Sequence, residues 1–211
     1  MIPVVVTYNL AAANVTAVVN ALGTVAAGTL TLTATTVVLD TQRRLLFTAA
    51  GNESANTFVV KGTNAAGIAV NETVIGPNAT TTQTNVDFKT VTSITALTTT
   101  AGTLSVGTDG VGSTLWNILN WDVTPASTAL AGIVMSSGTA VNWSIEYTYD
   151  DPNNLSPNVN YAAPFLHPIL QNQTTNADSA LSTPVTAWRL KINSGTGTMR
   201  AIGTQAGIAG P

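Results

Sequence analysis

Apolar and polar residues alternate with a period of two along much of this chain, and no stretch of ten or more residues carries a strong apolar repeat of about 3.6 residues. Alternation puts apolar side chains on one face of an extended backbone and polar ones on the other, the pattern of a half-buried strand. The expected fold class is therefore all-β. The clearest instance is Val141, Trp143, Ile145, Tyr147 and Tyr149 alternating with Asn142, Ser144, Glu146 and Thr148; the turn cluster Asp150-Asp151-Pro152-Asn153-Asn154 ends it. Trp188, Leu190 and Ile192 likewise alternate with Arg189 and Lys191, and Ser194-Gly195-Thr196-Gly197 turns the chain into a last strand at 198–204. In the first half, Leu30, Leu32 and Ala34 alternate with threonines over 29–35, and 44–49 forms a denser strand ended by Gly51-Asn52. The apolar runs 57–60 and 68–75 flank Asn64-Ala65-Ala66-Gly67 as a hairpin, and 86–95 and 102–107 supply two further strands. Residues 9–22 come nearest to a helix, but their β-branched Val and Thr favour strand or loop.

Glycine recurs three times in the segment GTDGVGS at 107–113, and all four tryptophans, at 116, 121, 143 and 188, lie beyond it. The expected organisation is two β-sandwich or jelly-roll-like domains in series. The first covers residues 1–110 and begins with an N-terminal arm. The second covers 111–211 and contains a long irregular loop over 153–183, broken by Pro157, Pro164 and Pro168. Trp143 and Trp188 are expected in the core, with at least one of Trp116 and Trp121.

Charged residues make up only 8% of the chain, against a usual share of about 25%. An uncharged Thr/Asn surface costs little to desolvate, whereas stripping water from ion pairs is expensive, so such a surface suits permanent assembly as well as it suits a secreted domain of low charge. Threonine on outer strand faces also leaves edges without their usual guarding charges, which favours closed homo-oligomers such as dimers or trimers. The ends, 1–12 and 203–211, are expected as arms that gain order on neighbouring subunits. Seven Lys/Arg against ten Asp/Glu, with Arg43-Arg44 as the one basic pair, leave no footprint for nucleic acid. No run approaches the ~20 apolar residues of a membrane helix, and the first basic residue is Arg43, so the start lacks the charged region of a signal peptide. The expectation is a protein made and used inside the cell that makes it, with no membrane partner.

Chemistry finds little to work with. His167 is the single histidine and no GxSxG elbow accompanies it, so a packed or hydrogen-bonded loop histidine is expected. Without Cys, and with one His, zinc sites of the His/Cys kind are excluded. Asp150 and Asp151 beside Asn153 and Asn154 offer hard oxygen ligands for Ca²⁺, but the spacing matches no EF-hand loop, and a structural turn is the expectation. Asp40, Glu53, Glu72, Asp87, Asp109, Asp122, Glu146 and Asp178 are scattered singly, and nothing selects two of them as a glycosidase pair. The Asn-x-Ser/Thr triplets follow from a composition rich in both residues. The expectation is a non-enzymatic protein with no catalytic, cofactor-binding or metal-binding residues and no cofactor.

Two blocks carry a resemblance. The first, LDTQRRLLFTAAGNESANTFVVKGTNAAGIAVNETVIGPNATTTQTNVDFKTVTSITALTTTAGTLSVGT, covers 39–108; the second is VNWSIEYTYDDP, 141–152, with VTAWRLKINSGTGTMRAIGTQAG at 185–207. Both resemble small β-rich virion structural proteins encoded among the head and tail genes of tailed bacteriophages. The resemblance implies a virion component assembled in the host cytoplasm, with the major capsid protein or neighbouring head and tail proteins as partners. Decoration, or cement, of the head shell is the preferred role. A neck or tail role, as a head-completion, tail-tip or baseplate protein, is the alternative. A host glycan-binding module using the Trp and Tyr residues and the 153–183 loop is a third possibility. The resemblance brings no catalytic residues with it.

Overall fold

The computed structural model describes residues 3–119, 128–137, 141–154, 161–181 and 184–205. Among these there are strands and no helix. In chain order they are β1 (Pro3–Leu10), β2 (Val19–Leu22), β3 (Gly28–Thr29), β4 (Val37–Ala49), β5 (Thr57–Thr63), β6 (Ala69–Ile75), β7 (Thr81–Gln83) and β8 (Phe88–Ala96). There follow β9 (Leu104–Ser113), β10 (Asn117–Ile118), β11 (Thr128–Ser137), β12 (Asn142–Thr148), β13 (Phe165–Leu166), β14 (Ala177–Leu181), β15 (Ala187–Ser194) and β16 (Gly197–Gln205). The pairings with a described register are antiparallel, and the chain is all-β with large antiparallel sheets. It falls into two compact units, one of residues 12–112 and one of residues 1–11 with 113–211.

In the unit of residues 12–112 the strand order is β9-β4-β8-β5-β6, with β2 on β9, β3 on β8 and β7 on β4. Its core is aliphatic with three phenylalanines, Phe47, Phe58 and Phe88, all fully buried; the rings of Phe47 and Phe58 lie 5.3 Å apart. The expected hairpin forms as β5 and β6, in register from Thr57 opposite Ile75 to Thr63 opposite Ala69. Its turn closes through Asn64 and Ile68, and Gly67 takes a φ of 79° that a side chain would resist.

One expectation fails in this unit. Beyond Thr29, which ends β3, residues 30–35 are not a strand: the Leu30 amide bonds the Ile94 carbonyl, while the amide and hydroxyl of Thr33 bond the carbonyls of Val18 and Ala17. Alternation there reflects two leucines set against the core, Leu30 buried and Leu32 partly so, not a ladder. The segment 107–113 lies within β9, and the division between the two compact units falls at Gly112/Ser113, next to the boundary expected at 110/111. Gly107 is small because the backbone of Asn14 and Val15 lies against it; an added Cβ would sit 2.1 Å from the Asn14 carbonyl oxygen. Its glycine serves close packing.

In the unit of residues 1–11 and 113–211 one sheet has the order β1-β16-β11-β14, and a second set runs β13-β12-β15 with β10 on β15. The N-terminal segment, expected as an arm of the first domain, is β1, and it pairs along its whole length with β16. Its own period of two explains this: Tyr8 and Leu10 are buried and Val6 half-buried, while Val5, Thr7 and Asn9 face outward. Residues 203–205, expected within the C-terminal arm, belong to β16, and the rest of that arm lies outside the described residues. Trp143 of β12 and Trp188 of β15 are fully buried core residues. Each lies against a glycine of the first sheet. A Cβ on Gly132 of β11 would stand 2.3 Å from the Trp143 ring, and one on Gly203 of β16 would stand 2.6 Å from the Trp188 ring. Indole against glycine lets the two sheets close over each other, a sandwich-like packing.

The polar face of β12 is not solvated, contrary to the simple reading of alternation. Glu146 is 2% exposed, with Ser144 and Thr148 also buried. Glu146 accepts from the Arg189 guanidinium at 2.7 Å and from Lys191 Nζ at 3.1 Å, and Trp116 covers the guanidinium at 4.5 Å from its ring centre. Trp121 lies outside the described residues.

Candidate functional site

The end of β12 and the chain beyond residue 160 build an aromatic surface. Period two puts Tyr147 and Tyr149 on the same side of the strand, and β13 pairs Phe165 directly opposite Tyr147. The rings of Tyr147 and Phe165 stack with centroids 5.8 Å apart, and Tyr149 meets both edge-on, at 5.7 Å and 5.5 Å. Such offset and edge contacts are the favoured aromatic geometries. Tyr149 is nevertheless 53% exposed, and Tyr161, Phe165, Leu166 and Ile169 are also exposed.

After β13 the chain runs back along β12. The His167 amide bonds the Ile145 carbonyl, the Ile145 amide bonds the Leu170 carbonyl, and Trp143 and Gln173 exchange two backbone bonds. His167 itself is buried, and its Nδ1 accepts the amides of Ile169 and Leu170, both at 3.1 Å. That arrangement fixes the proton on Nε2, which has no hydrogen bond of good geometry. Burial holds the imidazole pKa below its ordinary value, outweighing the nearby Ala180 backbone, which acts the other way. At neutral pH the ring is therefore uncharged. As expected, it is a packed, hydrogen-bonded loop histidine.

Between these elements and β14 opens a cleft of about 260 Å³. Tyr147, Tyr149 and His167 form one side of its lining, and Pro168, Ile169, Ala180 and Leu181 the remainder. Burial first, then the charge and hydroxyl of Tyr149, push the Tyr147 phenol above its usual range, so it too stays neutral. Among the described residues the lining contains no carboxylate and no cation. It offers aromatic faces and aliphatic walls, which suit binding; no acid and base stand together in it.

Among the described residues the acidic side chains read from the sequence are mostly apart, and the ones that approach each other, Asp87 and Asp109, share the neighbourhood of Arg43 and Arg44. Asp40 is bound to Arg43, Asp87 faces Arg44, Glu146 holds Arg189 and Lys191, and Asp122 lies outside the described residues. Glu53 is buried and accepts the amides of Ala101 and Gly102, and Glu72 accepts those of Asn85 and Val86. Burial raises the Asp109 pKa although its carboxylate accepts the Val111 amide. Asp150 accepts the Ala163 amide and Asp151 the Asn153 amide, so both hold turns. Among the described residues no group of three or more His, Cys, Asp or Glu side chains is placed to hold a metal. What sequence reasoning missed is the cleft: its walls come from positions 147, 149, 167–169 and 180–181, and only the alternation of Tyr147 and Tyr149 was a signal. No protein-family model matches the chain, and no curated protein matches it.

Proposed function

We propose that the protein is a non-enzymatic structural component of a virus particle, built from two β-sandwich, jelly-roll-like domains, that acts by binding its neighbours. The observation that carries the reading is the exposed cluster of Tyr149, Phe165 and Ile169 in a chain only 8% charged. Large exposed apolar groups gathered in one place mark a surface that another molecule covers, and a surface of Thr and Asn lets such covering extend at low desolvation cost. The resemblance to tailed-bacteriophage virion proteins supplies the setting. Decoration of the head shell, with major capsid protein and further copies of the chain as neighbours, is the preferred place. A neck or tail position uses the same surface. Copy number per particle separates them: labelled particles imaged at low resolution carry hundreds of copies for a shell protein and about six or twelve for a neck or tail part. Particles that carry none refute the reading.

One observation favours a second reading. Tyr147, Tyr149, Tyr161 and Phe165 all fall in the second half of the chain, where a glycan-binding site was expected, and aromatic faces suit sugar rings. Titration with a glycan panel tests it, and binding lost in Tyr149→Ala with the assembly state unchanged would favour it.

A further inference from the structure

The turn that follows β13 is organised around one imidazole nitrogen. His167 is buried, and its Nδ1 accepts the amides of Ile169 and Leu170, each at 3.1 Å. A ring nitrogen that accepts N–H groups holds no proton, so the closed turn and a protonated Nδ1 exclude each other. The same turn builds one side of the cleft, because His167, Pro168 and Ile169 line it together with Tyr147 and Tyr149 of β12 and Ala180 and Leu181 of β14. Ile169 is also part of the exposed cluster with Tyr149 and Phe165. Of the groups packed against the imidazole, β12 presents two phenols and β14 the Ala180 backbone and the Leu181 side chain. Only the Ala180 backbone favours a charged ring, and burial outweighs it. Asp178 lies two residues before Ala180 on β14 and outside the lining, Asp150 and Asp151 accept the amides of Ala163 and Asn153, and Glu146 is held by Arg189 and Lys191. Protonation therefore strips two amides of their acceptor and puts a charge in a buried place, and both costs are relieved when the ring leaves it.

We propose that this turn is an acid-operated latch on the docking surface: when Nδ1 takes a proton, the Ile169 and Leu170 amides are released, the imidazole turns out to water, and the wall of His167, Pro168 and Ile169 loses the shape that a partner covers. Acid then detaches the partner. The inference rests on the reading of this surface as one that a protein partner covers. Opening is local, since the two backbone bonds exchanged by Trp143 and Gln173 further along the segment involve no titratable side chain.

The test uses the full chain. His167 is its one histidine, so every imidazole signal in a proton–nitrogen NMR spectrum belongs to that residue. As the pH is lowered from about 8 to about 4, the imidazole should titrate with a midpoint below about 6.5. The amides of Ile169 and Leu170 should shift with that same midpoint and exchange faster below it, while those of Trp143 and Gln173 stay protected. His167→Asn offers both amides an acceptor that does not titrate, so they should show no such step in that variant. Association is read by co-sedimentation with empty capsids. One pH unit below the imidazole midpoint, wild-type association should be about tenfold weaker than at about pH 8, the factor by which the neutral fraction has fallen, whereas in His167→Asn the two should be nearly equal. Amides that ignore the imidazole titration overturn the latch without recourse to any variant, as does an imidazole that stays neutral throughout. Equal acid loss of association in His167→Asn, or unchanged wild-type association while the turn opens, overturns the release of the partner. No association at any pH overturns instead the reading of the surface as one that a partner covers, and the NMR titration tells that failure from failure of the latch.

Discussion

Replacing His167 with alanine strips two amides of their acceptor at once. Nδ1 takes the N–H groups of Ile169 and Leu170 at 3.1 Å, and the second of these bonds is buried. A buried donor left without a partner costs about 1–3 kcal/mol, and the void left by a buried ring adds to it, in line with the ~2–5 kcal/mol of large-to-small core changes. The combined loss should be about 3–4 kcal/mol. Asparagine separates the two contributions, because its Oδ1 reaches the position of Nδ1 and accepts from amides two and three residues on, as in an Asx turn. His167→Asn should therefore cost less than about 1.5 kcal/mol, mostly lost ring volume. All four tryptophans lie beyond residue 110 in sequence, so denaturation followed by tryptophan fluorescence reports the unit that contains His167. The pH dependence adds a second signature. A histidine whose folded pKa is lowered contributes stability that is present above its unfolded value of about 6.5 and is lost as the pH falls through that value toward the folded one. The wild-type protein should lose stability across that window, and His167→Asn should lose less. Equal stability of the alanine and asparagine variants, or an identical pH slope in wild type and His167→Asn, would refute the account of Nδ1 as the acceptor that holds this turn.

Gly203→Ala should destabilise the same unit by about 1–3 kcal/mol or more through overpacking against Trp188, seen as a lowered tryptophan-fluorescence midpoint, whereas Gly23→Ala, in the other unit and with nothing near its Cβ position, should leave the circular-dichroism midpoint of that unit little changed. Glu146→Ala leaves Arg189 and Lys191 as poorly compensated, largely buried cations and should cost about 3–5 kcal/mol in the same assay. Subtilisin should leave residues 107–113 uncut in the native protein, because β9 is a packed strand there and not an exposed hinge; an early cut within GTDGVGS would contradict that placement.

Strands whose alternation comes with an aromatic or aliphatic anchor at every second position, such as β12, β15 and the β5–β6 hairpin, were legible because one face of each is core. The alternation at 29–35 misled because small threonines and alanines alternate as readily in an exposed loop. The glycines of 107–113 marked the division at 112/113, while the strand character of the segment was hidden, because a glycine chosen for close backbone approach, such as Gly107, looks in sequence like one chosen for flexibility. The burial of the polar face of β12 was invisible because the partners of Glu146 lie 43 and 45 residues away. The cleft combines positions from three separated segments, and none of them differs in composition from ordinary core or loop residues.

The mass of the purified chain in solution, measured with its binding to empty capsids and to purified tails, tests most directly whether this protein works by being covered. The expected result is a closed oligomer, or a chain that joins one of these particles, and loss of that association when Phe165 and Ile169 are changed to serine while the fold is retained. A chain that stays monomeric at high concentration and binds neither capsids nor tails would contradict it.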